Sequence, residues 1–343
     1  LTDHPANTTE PAQTSRYLRV QDMDTFANVL FAPRRPIRGL YAGRHASRQR
    51  GHRVEFNDYR EYTPGDEAGD IDWKVFGRTD RLFIKRFEHQ TDMTVSLLVD
   101  ASASMGYAGS NPAGPPPRKH NDHSWMTPLK TLNNKRNTSD TPPAIDNPGK
   151  YDQACLMAAA IAFLTVRQQD RVGFHLARRG LYRELPARGG FTHLHQLLRL
   201  MDEARPQAQA RLAEALQTLA TRIPKRSLLI VFSDLLEDRD DILRALSAVT
   251  ARGGEVIVFH VLHEEELRLP DLDEAVFVDS ETGRHVRLNV PDIREAYESR
   301  VRDSSNTWRN ALTSRGIDYR LVSTATHYHE AIRDYLFTRA ARV

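Results

Sequence analysis

The sequence predicts a doubly wound α/β domain with a mostly parallel sheet and one antiparallel edge strand, preceded by a small β-containing N-terminal domain. Three observations carry this. Short apolar runs without polar alternation recur at 95–100, 227–232, 255–262 and 317–322, the pattern of strands covered on both faces. Helical patterns separate these runs, as parallel pairing requires. Two further strand patterns, 171–177 and 181–185, meet at Arg178-Arg179-Gly180 and so predict an antiparallel hairpin at one edge.

In chain order, residues 1–15 are polar with two prolines and are expected to form a flexible tail. From 16 to 31 the apolar residues Leu18, Val20, Met23, Phe26, Val29 and Leu30 fall at roughly helical spacing, and Pro33 ends the pattern. This helix and the block that follows make up an N-terminal region over 16–90, rich in Arg, Asp and aromatic residues. Phe56, Tyr59, Tyr62, Trp73, Phe76, Phe83 and Phe87 are the candidates for its small core, and 82–87 alternates apolar and basic residues like a strand with one wet face.

The α/β domain is expected over 94–343. Its helices are predicted at 151–169 (Ala-rich and broadly buried), 192–204, 210–222, 240–252, 292–314 and 328–341. A further hairpin over 275–290 turns near Glu281-Thr282-Gly283. An insertion at 107–149 interrupts the pattern. Its Pro, Asn, Ser, Thr and Lys content buries too little to offset ordering entropy, so disorder is expected, most simply as a passive surface loop.

Composition narrows the function classes. The 343 residues are 40% hydrophobic and 27% charged, with a formal charge of +3, as in an ordinary soluble protein. Cys155 is the single cysteine, which excludes a disulfide framework and a cysteine-based metal cage. The longest apolar run, 154–166, is too short to span a bilayer, no signal-peptide pattern is visible, and a reducing cytoplasmic setting is expected.

The candidate site begins where the run 95–99 gives way to Asp100, Ser102 and Ser104. A loop leaving the carboxyl end of a parallel strand can turn these three oxygens toward one point, at the sheet edge where ligands bind in open α/β folds. Oxygen ligands of low total charge suit a hard cation such as Mg²⁺ that keeps waters and an open position. The simpler alternative is a Ser-rich turn that caps the next segment. Asp234 follows a second buried strand and reaches the same point if the two strands are neighbours.

At these residues the chain resembles the von Willebrand factor type A fold, whose metal-ion-dependent adhesion site combines an Asp-x-Ser-x-Ser loop with a Thr and an Asp from two other loops. A closer resemblance lies in Arg50-Gly51, Glu55-Phe56, Arg60, Tyr62-Thr63-Pro64-Gly65-Asp66, Ile71-Asp72-Trp73-Lys74 and Arg81 to Glu88. Together with Val261-Leu262, Phe277, Asp279, Glu281-Thr282-Gly283 and Gly316-Ile317-Asp318-Tyr319 these look like the signature of the domain of unknown function 58 family. That resemblance implies a non-enzymatic bacterial adaptor. Its expected partners are a MoxR-type AAA+ ATPase and a client protein, in chaperone-like maturation or assembly. It also implies metal ligands at Asp100, Ser102, Ser104 and Asp234. Two departures stand out. Ala210, beside Arg211, occupies the place expected for the Thr, with Thr192 one helix too early to replace it; and Gly69 stands where relatives usually carry a basic residue.

Other readings are weaker. Arg34, Arg35, Arg38, Arg44, Arg48, Arg50 and Arg53 suggest a nucleic-acid module, but Asp58, Glu61, Asp66, Asp70 and Asp72 nearly balance them. His193 with His195, and His327 with His329, are two apart and do not share a helix face, which disfavours zinc. A metal-dependent hydrolase using Asp100 and Asp234 is the enzymatic alternative. No phosphate-binding Gly-rich loop or nucleophile elbow supports ATP or ester chemistry.

Overall fold

The computed structural model describes residues 15–18, 54–62, 73–79, 81–89, 93–110, 145 and 147–340. All of the predicted tail but Ser15, and nearly all of the predicted 16–31 helix, lie outside these residues, as do the Arg-rich stretch 34–53, Gly69 and most of the insertion. Two compact units are present, one formed by 35–93 and the other by 1–34 together with 94–343.

In the smaller unit, β1 (Val54–Glu61), α1 (Trp73–Thr79) and β2 (Phe83–His89) follow one another, and the strands pair antiparallel with a bulge between Phe56 and Asp58. Trp73 was expected in the core of this unit but is 62% exposed. It opens a seven-residue helix and meets the ring of Phe76 edge-on at 6.0 Å, a contact that leaves most of the indole in solvent.

The larger unit runs β3 (Thr94–Asp100), α2 (Lys150–Arg167), β4 (Arg171–Arg178), β5 (Gly180–Arg188), α3 (Phe191–Glu203), α4 (Leu212–Arg222), β6 (Leu228–Ser233), α5 (Arg239–Ala251), β7 (Glu255–Leu262), the one-turn α6 (Glu264–Leu267), β8 (Glu274–Val278), β9 (His285–Asn289), α7 (Val290–Thr313), β10 (Asp318–Ser323) and α8 (Tyr328–Ala340). The main sheet has the order β10-β7-β6-β3-β4-β5. Every pairing is parallel except β4–β5, the expected antiparallel edge. Pro186 lies in that outermost strand, where a missing backbone donor does least harm. The β8–β9 hairpin forms its own two-stranded sheet.

β3 and β6 are buried nearly throughout, as their uninterrupted apolar runs require. Helix α2 packs on the sheet with α3 and α8 beside it. Sixteen of its eighteen residues are buried, so it is apolar on all sides, and its alanines allow close approach. On the opposite face α4, α5 and α7 share a core with Leu98, Leu229, Val231, Val258 and Trp308.

Residues 15–17 are fastened to this unit. Tyr17 is fully buried and its hydroxyl donates to Asp152 at 2.7 Å, while Arg16 pairs with Asp152 and Asp202 at 3.3 and 3.2 Å. Ser15 donates to Asp202 at 3.0 Å.

Candidate functional site

Sheet order decides where a site can form. From β3 the chain proceeds to β4 and β5 on one side, then returns to β6 on the other. The connections leaving β3 and β6 therefore diverge and open a crevice at the carboxyl ends of these two strands. Asp100 ends β3 and Asp234 directly follows β6, so both carboxylates lie at this one crevice.

Ser102, Ser104 and Asp100 are brought together as the spacing predicts. The Ser102 N–H donates to Asp100 Oδ1 at 2.9 Å, and the hydroxyls of Ser102 and Ser104 are 3.1 Å apart. A 3₁₀ turn over Ser104–Gly106 completes the loop. The segment before α4 stitches across it: Ala103 N–H donates to the Ala208 carbonyl at 2.8 Å, and Gln207 N–H to that of Ala101 at 2.9 Å. Ala208 adopts φ 62°, a left-handed conformation costly for a residue with a Cβ.

Ser233 links the two strand ends. Its hydroxyl donates to Asp100 Oδ2 at 2.7 Å and accepts from the Leu235 N–H at 3.0 Å. Leu235, at φ 54°, turns the chain sharply away, leaving Leu236 61% exposed at the rim. Asp234 is held from behind, because His260 lies 3.0 Å from its carbonyl through Nε2 and 2.8 Å from the Tyr319 hydroxyl through Nδ1. Burial pushes His260 down to about 4, so the ring is neutral at neutral pH.

No local pattern in the chain announces the cation here. Lys150 begins α2 and is fully buried, and its ammonium lies 2.8 Å from Asp234 Oδ2 and 2.7 Å from Glu266 Oε1. Burial opposes its charge, but Asp234 and Glu266 outweigh that and hold Lys150 above the ordinary lysine range. Among the described residues Asp100 has no such partner. Burial, then the charge of Asp234, push it up to about 7 against the opposing bonds from Ser233 and Ser102.

Ala210 lies on the segment before α4, with no side-chain donor, and its N–H donates to Glu281 of the β8–β9 turn at 2.9 Å. Glu237 reaches the start of α4, accepting from the Leu212 N–H at 2.6 Å. Thr192 is in α3 and His193 binds the Val172 carbonyl at 2.7 Å.

The donor set does not fit a tightly held divalent ion. Ala210 offers no hydroxyl, and Asp234 already faces a positive charge. Among the described residues no group of three or more His, Cys, Asp or Glu side chains is arranged to hold a metal. Nor is any described helix long and apolar enough to cross a membrane.

Sheet order and this strand-end loop define an α/β domain of von Willebrand factor type A-like form. The chain belongs to the family described as "protein of unknown function DUF58", which it matches over 58–114 and 139–307. Bacterial relatives include an uncharacterized protein of Mycobacterium tuberculosis and one of Mycobacterium bovis, each 26% identical over 292 residues, covering 84% of this chain and 80% of theirs. Among solved structures, the conserved hypothetical protein BatB from Bacteroides thetaiotaomicron aligns over 73% of this chain and 99% of its own, with TM-score 0.42 and 13% identity. The SpRpn10 VWA domain aligns over 71% and 95%, with TM-score 0.38 and 9% identity.

Proposed function

We propose that the chain is a non-enzymatic adaptor that docks a protein partner at the crevice between β3 and β6. The leading partner is a MoxR-type AAA+ ATPase, acting on a client protein. One observation carries the reading: Leu236, a large apolar side chain left mostly in solvent, stands at the switch point beside Asp100, Ser102, Ser104 and Asp234, which are themselves buried. A large apolar side chain at a fixed strand end, which a docking protein would bury, suits a protein partner.

Interferometry with the full chain and a MoxR-type ATPase encoded in the same genome tests this. Leu236→Asp, an exposed change, is expected to weaken binding about tenfold or more, because it sets a charge where the partner would bury an apolar side chain, whereas Arg199→Ala on α3 is expected to leave it unchanged. Equal affinity of the Leu236 variant and the parent would reject the docking face. Phosphatase or esterase turnover lost in Asp100→Asn would instead favour the hydrolase.

A further inference from the structure

Lys150 stands where general rules do not place a lysine. It is fully buried, and it opens a helix, where the macrodipole disfavours positive charge. The helix therefore does not explain it, but the two carboxylates do. Its backbone is fixed as well, since the Lys150 N–H donates to the Tyr107 carbonyl at 3.0 Å, on the chain leaving the Asp100 loop. The neighbouring Glu265 binds that same departing segment, accepting from the Tyr107 hydroxyl at 2.6 Å and from the Ser110 N–H and hydroxyl at 2.8 Å each. α6 thus holds the ammonium with Glu266 and the departing chain with Glu265.

We propose that Lys150 is the resident cation of this crevice. Its ammonium takes the position at Asp234 that a divalent ion would need, so Mg²⁺ is neither bound nor required there. The missing hydroxyl at Ala210 and the presence of Lys150 then have one explanation: a fixed side-chain charge replaces a diffusible one. Whether or not a partner docks at the same edge, this can be tested on the chain alone, so failure of the docking reading leaves it standing and the reverse also holds.

The experiment is calorimetric titration of the full chain with Mg²⁺ and Mn²⁺, with Mn²⁺ paramagnetic resonance as a second readout. The parent protein is expected to give no saturable binding in the millimolar range, and Lys150→Arg, which keeps the charge, the same. Lys150→Met keeps the length of the stem and removes the charge. It is expected to bind Mn²⁺ about a hundredfold tighter or more, the scale of removing one positive charge a few ångströms from a divalent ion. Adding Asp234→Asn to it should abolish that gain. Saturable Mg²⁺ binding to the parent that Asp100→Asn removes would overturn the proposal, even if the Lys150 variants failed to fold. So would a folded Lys150→Met protein with no gain in Mn²⁺ affinity.

Discussion

Removing either partner of the Lys150–Asp234 bridge strands the other as an unpaired charge in the interior, since their side chains are 1% and 0% exposed. Such single truncations cost about 3–5 kcal/mol, whereas replacing both partners with neutral groups is often close to neutral. The structure also ranks the variants. Lys150→Met leaves two carboxylates uncompensated and should cost most. Asp234→Asn leaves the ammonium with Glu266 and should cost less, and Glu266→Gln least, since that carboxylate is 24% exposed. The assay is urea unfolding followed by the fluorescence of Trp308, a buried residue of the same unit. The double variant Lys150→Met, Asp234→Asn should be more stable than the two single losses predict by about 2 kcal/mol. Additive losses, within about 0.5 kcal/mol, would mean that the bridge does not form in solution and that the charge argument at the crevice is wrong.

Three further outcomes are expected. Tyr17→Phe removes the hydroxyl bond to Asp152 and should cost about 1 kcal/mol, while Tyr17→Ala should cost about 3–5 kcal/mol, both read from urea midpoints. His175 is buried and burial pushes it from 6.5 down to about 4, so the unfolded chain takes up the proton first. Its contribution is complete above pH 6.5 and falls by about 1.4 kcal/mol per unit as pH drops toward 4; His175→Gln should flatten that slope in unfolding curves. Glu237→Ala frees the Leu212 N–H at the start of α4 and should cost about 1 kcal/mol by the same urea assay, with the loss measured against Glu214→Ala as control.

How far the sequence speaks depends on whether a residue's role is local. Val95 to Val99 and Leu228 to Phe232 announce central strands because burial on both faces removes polar alternation. Asp100, Ser102 and Ser104 were legible because they share one loop, and Asp234 because it ends a second such run. Arg179 and Gly180 likewise mark the β4–β5 turn, where Gly180 takes φ 83°. Lys150 was not legible. A lysine at the first turn of a helix, beside a Pro- and Asn-rich stretch, reads as solvated, and Glu266 sits in a run of three glutamates that reads the same way. Their pairing joins α2 to α6 across 116 positions, and no local pattern encodes it. Trp73 failed for the opposite reason: hydrophobicity alone predicted burial, but a seven-residue helix offers little to pack against.

The two ends of the segment between β3 and α2 lie side by side. A methyl added to Gly149 would come within 3.0 Å of the Ala108 side chain, and the Lys150 N–H is bonded to Tyr107. Chain leaves and re-enters through one doorway, so whatever is threaded there need not pull on the strands beneath. Because closing a longer loop adds only about 0.6 kcal/mol per doubling of length, this position works as a socket. A change in the length of the segment between the two ends is therefore expected to cost little stability.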